Sequence, residues 1–527
     1  MDDLIEMQLK LMQQVQSGES AEALATAESL LRQPTGDIAG GFAGLHFVRV
    51  VAFSMLGDLK AHDEALELMI TAAQRDASPG WLAAALATKA SQQIRIAEAH
   101  NAGYDLDDAL RSLVTAQFCA DQETDPVPAL AARVALGISF FEMRLYELAC
   151  PNHLAAYEIA LSDPRQHHMR ALWLCNMAET HLRWALELYQ VDLVEEAESH
   201  TAEAERWALR AAAEAADGPD AETWREYALL SAACAKADRH DPQGALREIE
   251  RHLVPLEARG MSEFLLAFSR PFHAVALRRS GRPDEALRVI ERAIVRLPAD
   301  VGMFLTSAIH HTHTVLLASR GSAGAEAGLA YGRTLASALW HQRMRILQTV
   351  ETMKSLERLR IQHDQAARAA DRDALTGLAN RRAFDDAVRR AQSDSGEIAV
   401  LVIDTDKFKQ INDSAGHSAG DAALRGIARA LDGQIRERDL LVRMGGDEFA
   451  VLLPEVGEVA AREVAMRMVA AVREIPDCPA TLSIGVAVGR GVELPRLLDE
   501  ADAAMYRAKR RGGDGVEAGV GDVVRAA

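Results

Sequence analysis

The chain has 527 residues, of which 49% are hydrophobic, 26% charged and 5% aromatic. This globular composition has room for two or more domains and excludes a disordered chain. A formal net charge of −19 argues against nonspecific binding of nucleic acid or anionic membranes.

The opening stretch MDDLIEMQLKLMQQ is acidic and amphipathic, without the basic start and apolar core of a secretory signal. No run reaches the ~18 uninterrupted apolar residues of a membrane span. The nearest attempt, 301–318, is broken by His310, His311 and His313. The five cysteines, Cys119, Cys150, Cys175, Cys234 and Cys478, are odd in number and lack metal-ligand spacing. They read as reduced thiols, and the expected location is the cytoplasm.

Residues 1–335 are helical in pattern, with apolar residues three and four apart and few prolines. A loose repeat places an alanine at 65, 109, 149, 197, 245 and 286, within segments such as DEALELM, DDALRSL and PDEALRV. A small side chain there lets two helices approach closely. The pattern resembles tetratricopeptide repeats, with longer and irregular units, and predicts an all-α solenoid. Such solenoids bind proteins or peptides on their concave faces, so a partner of that kind is expected. Paired histidines at 167–168 and 310–313 have no carboxylate framing, and no metal is assigned to them.

Residues 336–372 read as one long charged helix. Ile346, Val350, Met353 and Leu356 fall at coiled-coil spacing, which predicts a signalling helix that pairs two subunits.

The period changes at 373. IAVLVIDTD (398–406) is a continuous apolar run ending in acids. LLVRM and FAVLLPE flank a glycine-rich, doubly acidic turn, and ATLSIGVAVG (480–489) is a further strand. With the helical stretches between them, the order is β-α-β-β-α-β, an α+β ferredoxin-like domain over 373–515. A Gly-rich run begins at Gly512, and 516–527 is expected to be a flexible tail.

Neighbouring strands would bring Asp404 and Asp406 towards Asp447 and Glu448. Hard oxygen ligands of this kind suit Mg²⁺ bound through one or two carboxylates and substrate phosphates. Gly445 and Gly446 would let a phosphate approach the backbone.

Five blocks, DALTGLANRRAF, DTDKFKQINDSAGHSAGDAAL, RERDLLVRMGGDEF, LSIGVA and ADAAMYRAK, resemble the GGDEF family of diguanylate cyclases in the same order. The resemblance covers 373 to about 512 and none of the helical part. It implies condensation of two GTP molecules into cyclic di-GMP with release of two pyrophosphates, and Mg²⁺ or Mn²⁺ as cofactor. It also implies metal binding by Asp404, Asp447, Glu448 and the backbone carbonyl near Thr405, with Asp447 and Glu448 catalytic. Asn412 and Asp421 match guanine-reading positions, and Lys409, Lys509 and the backbone around Lys407 and Phe408 match phosphate contacts. Arg436 and Asp439 have the spacing of the family's inhibitory product site, with Arg467 as a third candidate member. The product needs two facing GTP molecules, so a homodimer is implied.

Two positions depart from the family. Met444 replaces a frequent aromatic residue. Gly513 stands where some members have a phosphate-binding arginine, for which Arg510 or Arg511 are candidate substitutes.

Overall fold

The computed structural model describes residues 2–16, 19–32, 42–100, 106–215, 221–297, 302–393, 396–476 and 478–519. The chain divides into two units, residues 1–356 and 357–527.

Among its described residues the first unit consists of α-helices and one 3-10 turn, Pro164–Met169. Most helices adjacent in sequence pack on one another. Pro79–His100 also packs on Pro126–Glu142, and Arg170–Gln190 on Ala221–Cys234. The repeat alanines explain this closeness. Ala65, Ala109, Ala149, Ala197 and Ala286 are fully buried, and Ala245 is 3% exposed. A larger side chain at any of them would push two backbones apart.

The long helix is Ala323–Ala370, 48 residues, so it begins before the expected residue 336. Its apolar positions act differently from the expected subunit seam. Val350 has no exposed surface and lies in the core of the helical unit, with Ile346, Leu347 and Met353 packed against the same cluster. Leu356, by contrast, is 61% exposed. Heptad spacing names an apolar face without naming what covers it. Here the cover for three of the four residues is the chain's own helices.

The second unit contains a mixed sheet of six strands. These are β1 (Ala379–Asn380), β2 (Glu397–Asp406), β3 (Leu440–Gly445), β4 (Glu448–Pro454), β5 (Thr481–Arg490) and β6 (Gly515–Ala518), in the order β1-β3-β4-β2-β5-β6. The four central strands are antiparallel, as the ferredoxin-like reading requires. β1 and β6 extend both edges as parallel partners. The Gly-rich run after Gly512 therefore departs from expectation: residues 515–518 pair with β5, and only 520–527 lie outside the described residues.

One sheet face packs on the helices His417–Asp432 and Glu458–Arg473 through Leu401, Ile403, Phe449 and Val451. The other packs on Arg381–Ala391 and Leu494–Arg510 through Val400, Ala450 and Leu452. Burial on both faces explains why β2 is apolar without alternation.

Candidate active site

β2, buried along most of its length, delivers Asp404 to its C-terminal end. There Asp404 is directly opposite Glu448 across the β2–β4 ladder. Asp404 is 6% exposed, Asp447 half-buried and Glu448 exposed. Like charges opposite one another destabilise a sheet unless a cation intervenes. The cation present is Lys509, whose Nζ is 2.5 Å from Asp404 Oδ1. Burial pushes the Asp404 carboxyl above the usual carboxylate range, Lys509 offsets part of this, and Asp447 and Glu448 push it further up.

Asp404 Oδ1 is buried without a well-aligned hydrogen-bond donor. No three His, Cys, Asp or Glu side chains among the described residues gather into a complete metal-binding set. A buried carboxylate oxygen short of donors, beside an exposed second carboxylate, fits a hard divalent cation whose remaining ligands are substrate oxygens and water.

The hairpin tip is held from two sides. Thr405 N and Oγ1 both donate to the Asp447 carbonyl at 3.1 Å. Arg443 donates through Nε and Nη2 to the Gly446 carbonyl at 3.0 and 2.7 Å, and through Nη1 to Asp373 Oδ1 at 2.9 Å. Burial alone would raise the Asp373 pKa, but hydrogen bonds from Thr376 and Arg443 hold it below the ordinary range. Arg443 and Asp373 were not singled out in the sequence. The signal was a lone arginine inside the apolar strand LLVRM.

Gly445 (φ 143°) and Gly446 (φ 56°) occupy backbone conformations that L side chains rarely adopt. A Cβ at either would meet no atom within 4 Å. The turn thus needs glycine for its backbone angles as well as leaving its surface open.

Asp406 departs from the expected convergence. It accepts from Thr481 Oγ1 at 2.9 Å, Ser483 Oγ at 2.7 Å and Asp514 N at 2.8 Å. It ties β2 to β5 and to the chain entering β6, and its acceptors are occupied by these donors.

Beyond Asp406, Lys407 turns the chain with φ 58° into the helix Phe408–Ala415. Phe408 is half-buried against the core, and Lys409 is exposed in the first turn. Asn412 faces the next helix, His417–Asp432, at Gly420, where a Cβ would fall 2.0 Å from Asn412 Oδ1. Gly420 therefore makes room for the Asn412 carboxamide directly beside Asp421, which is exposed. Gly420 was also missed, although it immediately precedes an assigned residue.

Residues 370–515 match the family described as "Diguanylate cyclase, GGDEF domain". They form a GGDEF domain. The chain is 42% identical over 167 residues to the diguanylate cyclase TpbB of Pseudomonas aeruginosa, covering 29% of this chain and 38% of that one. It is 43% identical over 157 residues to the diguanylate cyclase DgcM of Escherichia coli K12, covering 28% and 38%. A solved coiled coil and GGDEF domain of DgcB from Caulobacter crescentus, in complex with c-di-GMP, is 30% identical. That match covers 32% of this chain and 97% of the other, with a TM-score of 0.30. The chain thus spans well under half the length of the curated relatives.

In the GGDEF domain, Arg436 and Asp439 lie in one turn. Asp439 Oδ2 accepts from Arg436 N at 2.9 Å, and Asp439 N donates to the Arg436 carbonyl at 3.0 Å. Arg467 Nη2 donates to the Gln434 carbonyl at 3.2 Å, which brings the third arginine to the same turn. The Arg436 side chain is exposed.

The departure at Gly513 has a local reason: its φ is +77°, and a Cβ would lie 2.8 Å from the Asp406 carboxylate. Of the two arginines nearby, Arg511 is engaged with Glu517, while Arg510 is exposed.

Proposed function

We propose that the protein is a diguanylate cyclase, condensing two GTP molecules into cyclic di-GMP with release of two pyrophosphates. The in-register pairing of Asp404 with Glu448, next to Asp447, is the observation that carries this reading. The sequence likeness of the GGDEF domain to curated diguanylate cyclases supports it.

Asp404, Asp447 and Glu448, with the backbone near Thr405, would hold Mg²⁺ or Mn²⁺. When bound, the cation neutralises phosphate charge and favours the attacking hydroxyl's ionisation. Glu448 takes the proton of a GTP 3′-hydroxyl. That oxygen then bonds to the α-phosphorus of the second GTP as the bond to pyrophosphate breaks. A second such exchange, with the two nucleotides in reversed roles, closes the ring.

Asp421 accepts from the N1 and N2 hydrogens of guanine, with Asn412 beside it. Adenine would leave that acceptor unpaired, which discriminates strongly. Backbone amides following Lys407, together with Lys409, receive phosphate at the start of the helix Phe408–Ala415. Lys509, at the edge of the same carboxylate cluster, is placed to donate to a substrate phosphate oxygen.

Each GGDEF domain carries one GTP, so the active state is a homodimer. Exposed Leu356 and Leu359 on the helix Ala323–Ala370 are available for pairing. The helical unit acts as a tetratricopeptide-like solenoid that senses a protein or peptide partner and regulates the enzyme in the cytoplasm. Cyclic di-GMP inhibits through Arg436, Asp439 and Arg467, since guanidinium forks fit phosphate and guanine edges.

Purified protein incubated with GTP and Mg²⁺ should yield cyclic di-GMP on nucleotide chromatography, and ATP should yield no cyclic product. Absence of product across a wide range of protein concentrations would overturn the reading.

A further inference from the structure

The second and third described helices, Ser20–Arg32 and Phe42–Leu56, line an open cleft of about 490 Å³ with the helix Leu59–Arg75. Its walls combine apolar side chains, Leu31, Phe42 and Leu68, with the guanidiniums of Arg32, Arg49 and Arg75. In a chain of net charge −19, three converging arginines stand out against the background.

Their charges are incompletely balanced. Glu28 serves two of them, with Oε2 3.1 Å from Arg32 Nη2 and Oε1 3.8 Å from Arg49 Nη2. Arg75 Nε pairs with Asp76 at 3.2 Å. Three guanidiniums thus face two carboxylates.

Arg49 is the built-in member. Its side chain is 16% exposed, and its Nε is buried without a hydrogen-bond partner. Its Nη1 is 3.1 Å from His46 Nδ1. That ring nitrogen is an acceptor only when His46 is neutral. Burial, then Arg49 and Arg75, hold the His46 pKa down to about 4 despite the opposing pull of Asp76. The histidine therefore adds no positive charge at neutral pH and leaves the guanidiniums to face an anion.

Arg75 also stacks over the Phe42 ring at 4.9 Å, which fixes a flat wall beside the charge. Guanidiniums recognise carboxylate and phosphate through paired hydrogen bonds. An apolar wall beside such a fork selects an anion with an apolar body, and the volume is that of a small-molecule site.

We propose that this cleft binds a small amphipathic organic anion, an aryl or alkyl group bearing one carboxylate or phosphate. The ligand head would compete with Glu28 for Arg49 and Arg32, and its body would lie against Phe42, Leu31 and Leu68. The site belongs to the helical unit, and its existence does not depend on the cyclase reading.

The test titrates the full chain calorimetrically, without nucleotide, with benzoate and with phenyl phosphate. Inorganic phosphate and benzyl alcohol serve as single-feature controls. Saturable binding of at least one aryl anion, about tenfold or more tighter than either control, is expected. The tighter of the two identifies the head group. Arg49→Gln should weaken binding about tenfold, and exposed Arg75→Gln by less. Thr71→Trp, at an exposed position of the lining, should block entry. If circular dichroism shows that Arg49→Gln has not folded, Arg75→Gln and Thr71→Trp carry the test. No binding of either aryl anion, equal binding of inorganic phosphate, or unchanged affinity in both surviving variants would overturn the proposal.

Discussion

In the helical unit, Arg343 has no exposed side-chain surface. Its Nη2 is 2.6 Å from Glu147 Oε2, its Nε donates to the Arg144 carbonyl at 2.5 Å, and Glu187 lies 3.8 Å away. The rings of Trp340, Tyr146 and Trp184 surround it at 4.7 to 5.7 Å. In the GGDEF domain, Asp404 is buried with a single lysine, while Glu448 stands opposite and Asp447 is next in line. The first cluster is balanced by its own chain. The second has more carboxylates than cations. A balanced buried cluster holds helices together, whereas an unbalanced one at a strand end remains open to a cation and a phosphate substrate.

Four substitutions probe that contrast. Glu448→Gln removes a carboxylate from the unbalanced cluster. Cyclic di-GMP formation should fall about 10²–10⁴-fold, the usual worth of a positioned proton acceptor, while thermal stability stays level or rises slightly. A rate near wild type would remove Glu448 from the chemistry. Arg343→Met removes the fully buried guanidinium, leaving Glu147 without this partner and Glu187 with Arg144 alone. The expected loss is about 3–5 kcal/mol. The six tryptophans at 81, 173, 184, 207, 224 and 340 all lie in the helical unit, so urea denaturation followed by tryptophan fluorescence reads this unit alone. An unchanged midpoint would mean that the aromatic packing, not the ion pairing, holds the helix.

Gly446→Ala separates two uses of the turn. An alanine at φ 56° should cost about 1–2 kcal/mol through the backbone, since its Cβ meets nothing in the free protein. Lost activity without lost stability would instead mean that the open space is filled by substrate.

The smallest effect concerns pH. Asp404 is raised above its ordinary value, so its stabilising contribution is present below that value, near pH 3.9, and is lost as pH rises through the raised folded value. Asp404→Asn should therefore increase stability at pH 7 to 8 by up to about 1 kcal/mol, with the gain shrinking as pH falls towards 4. Thermal melts across that range test it, and a pH-independent difference would show that desolvation of the carboxylate is not its source.

The sequence was most legible where local chemistry and local geometry coincide. The hairpin, its two glycines and the acids beside them were read together because adjacent residues build them. The six repeat alanines were read because close helix contact tolerates little else. Reading failed where the partner was distant in the chain. Asp406 resembles Asp404 in every local respect, but its hydrogen-bond donors come from Thr481, Ser483 and Asp514. Arg443 has one partner three residues away, the Gly446 carbonyl, but its other partner, Asp373, comes near only when β1 pairs with β3.

The long helix gives the same lesson for apolar surface. Its heptad spacing was visible in the sequence, and the proposed subunit seam would have made Val350→Asp a test of dimerisation. With Val350 fully buried in the helical unit, that change would instead place a charge in a core. By itself the sequence determined which elements form, which alanines lie between helices and which carboxylates end β2 and begin β4. Tertiary structure decided which of those carboxylates are already satisfied and which apolar residues are already covered. The reason is physical: periodicity and propensity act over a few residues, while satisfaction of a buried charge or burial of an apolar face depends on groups that only folding brings near.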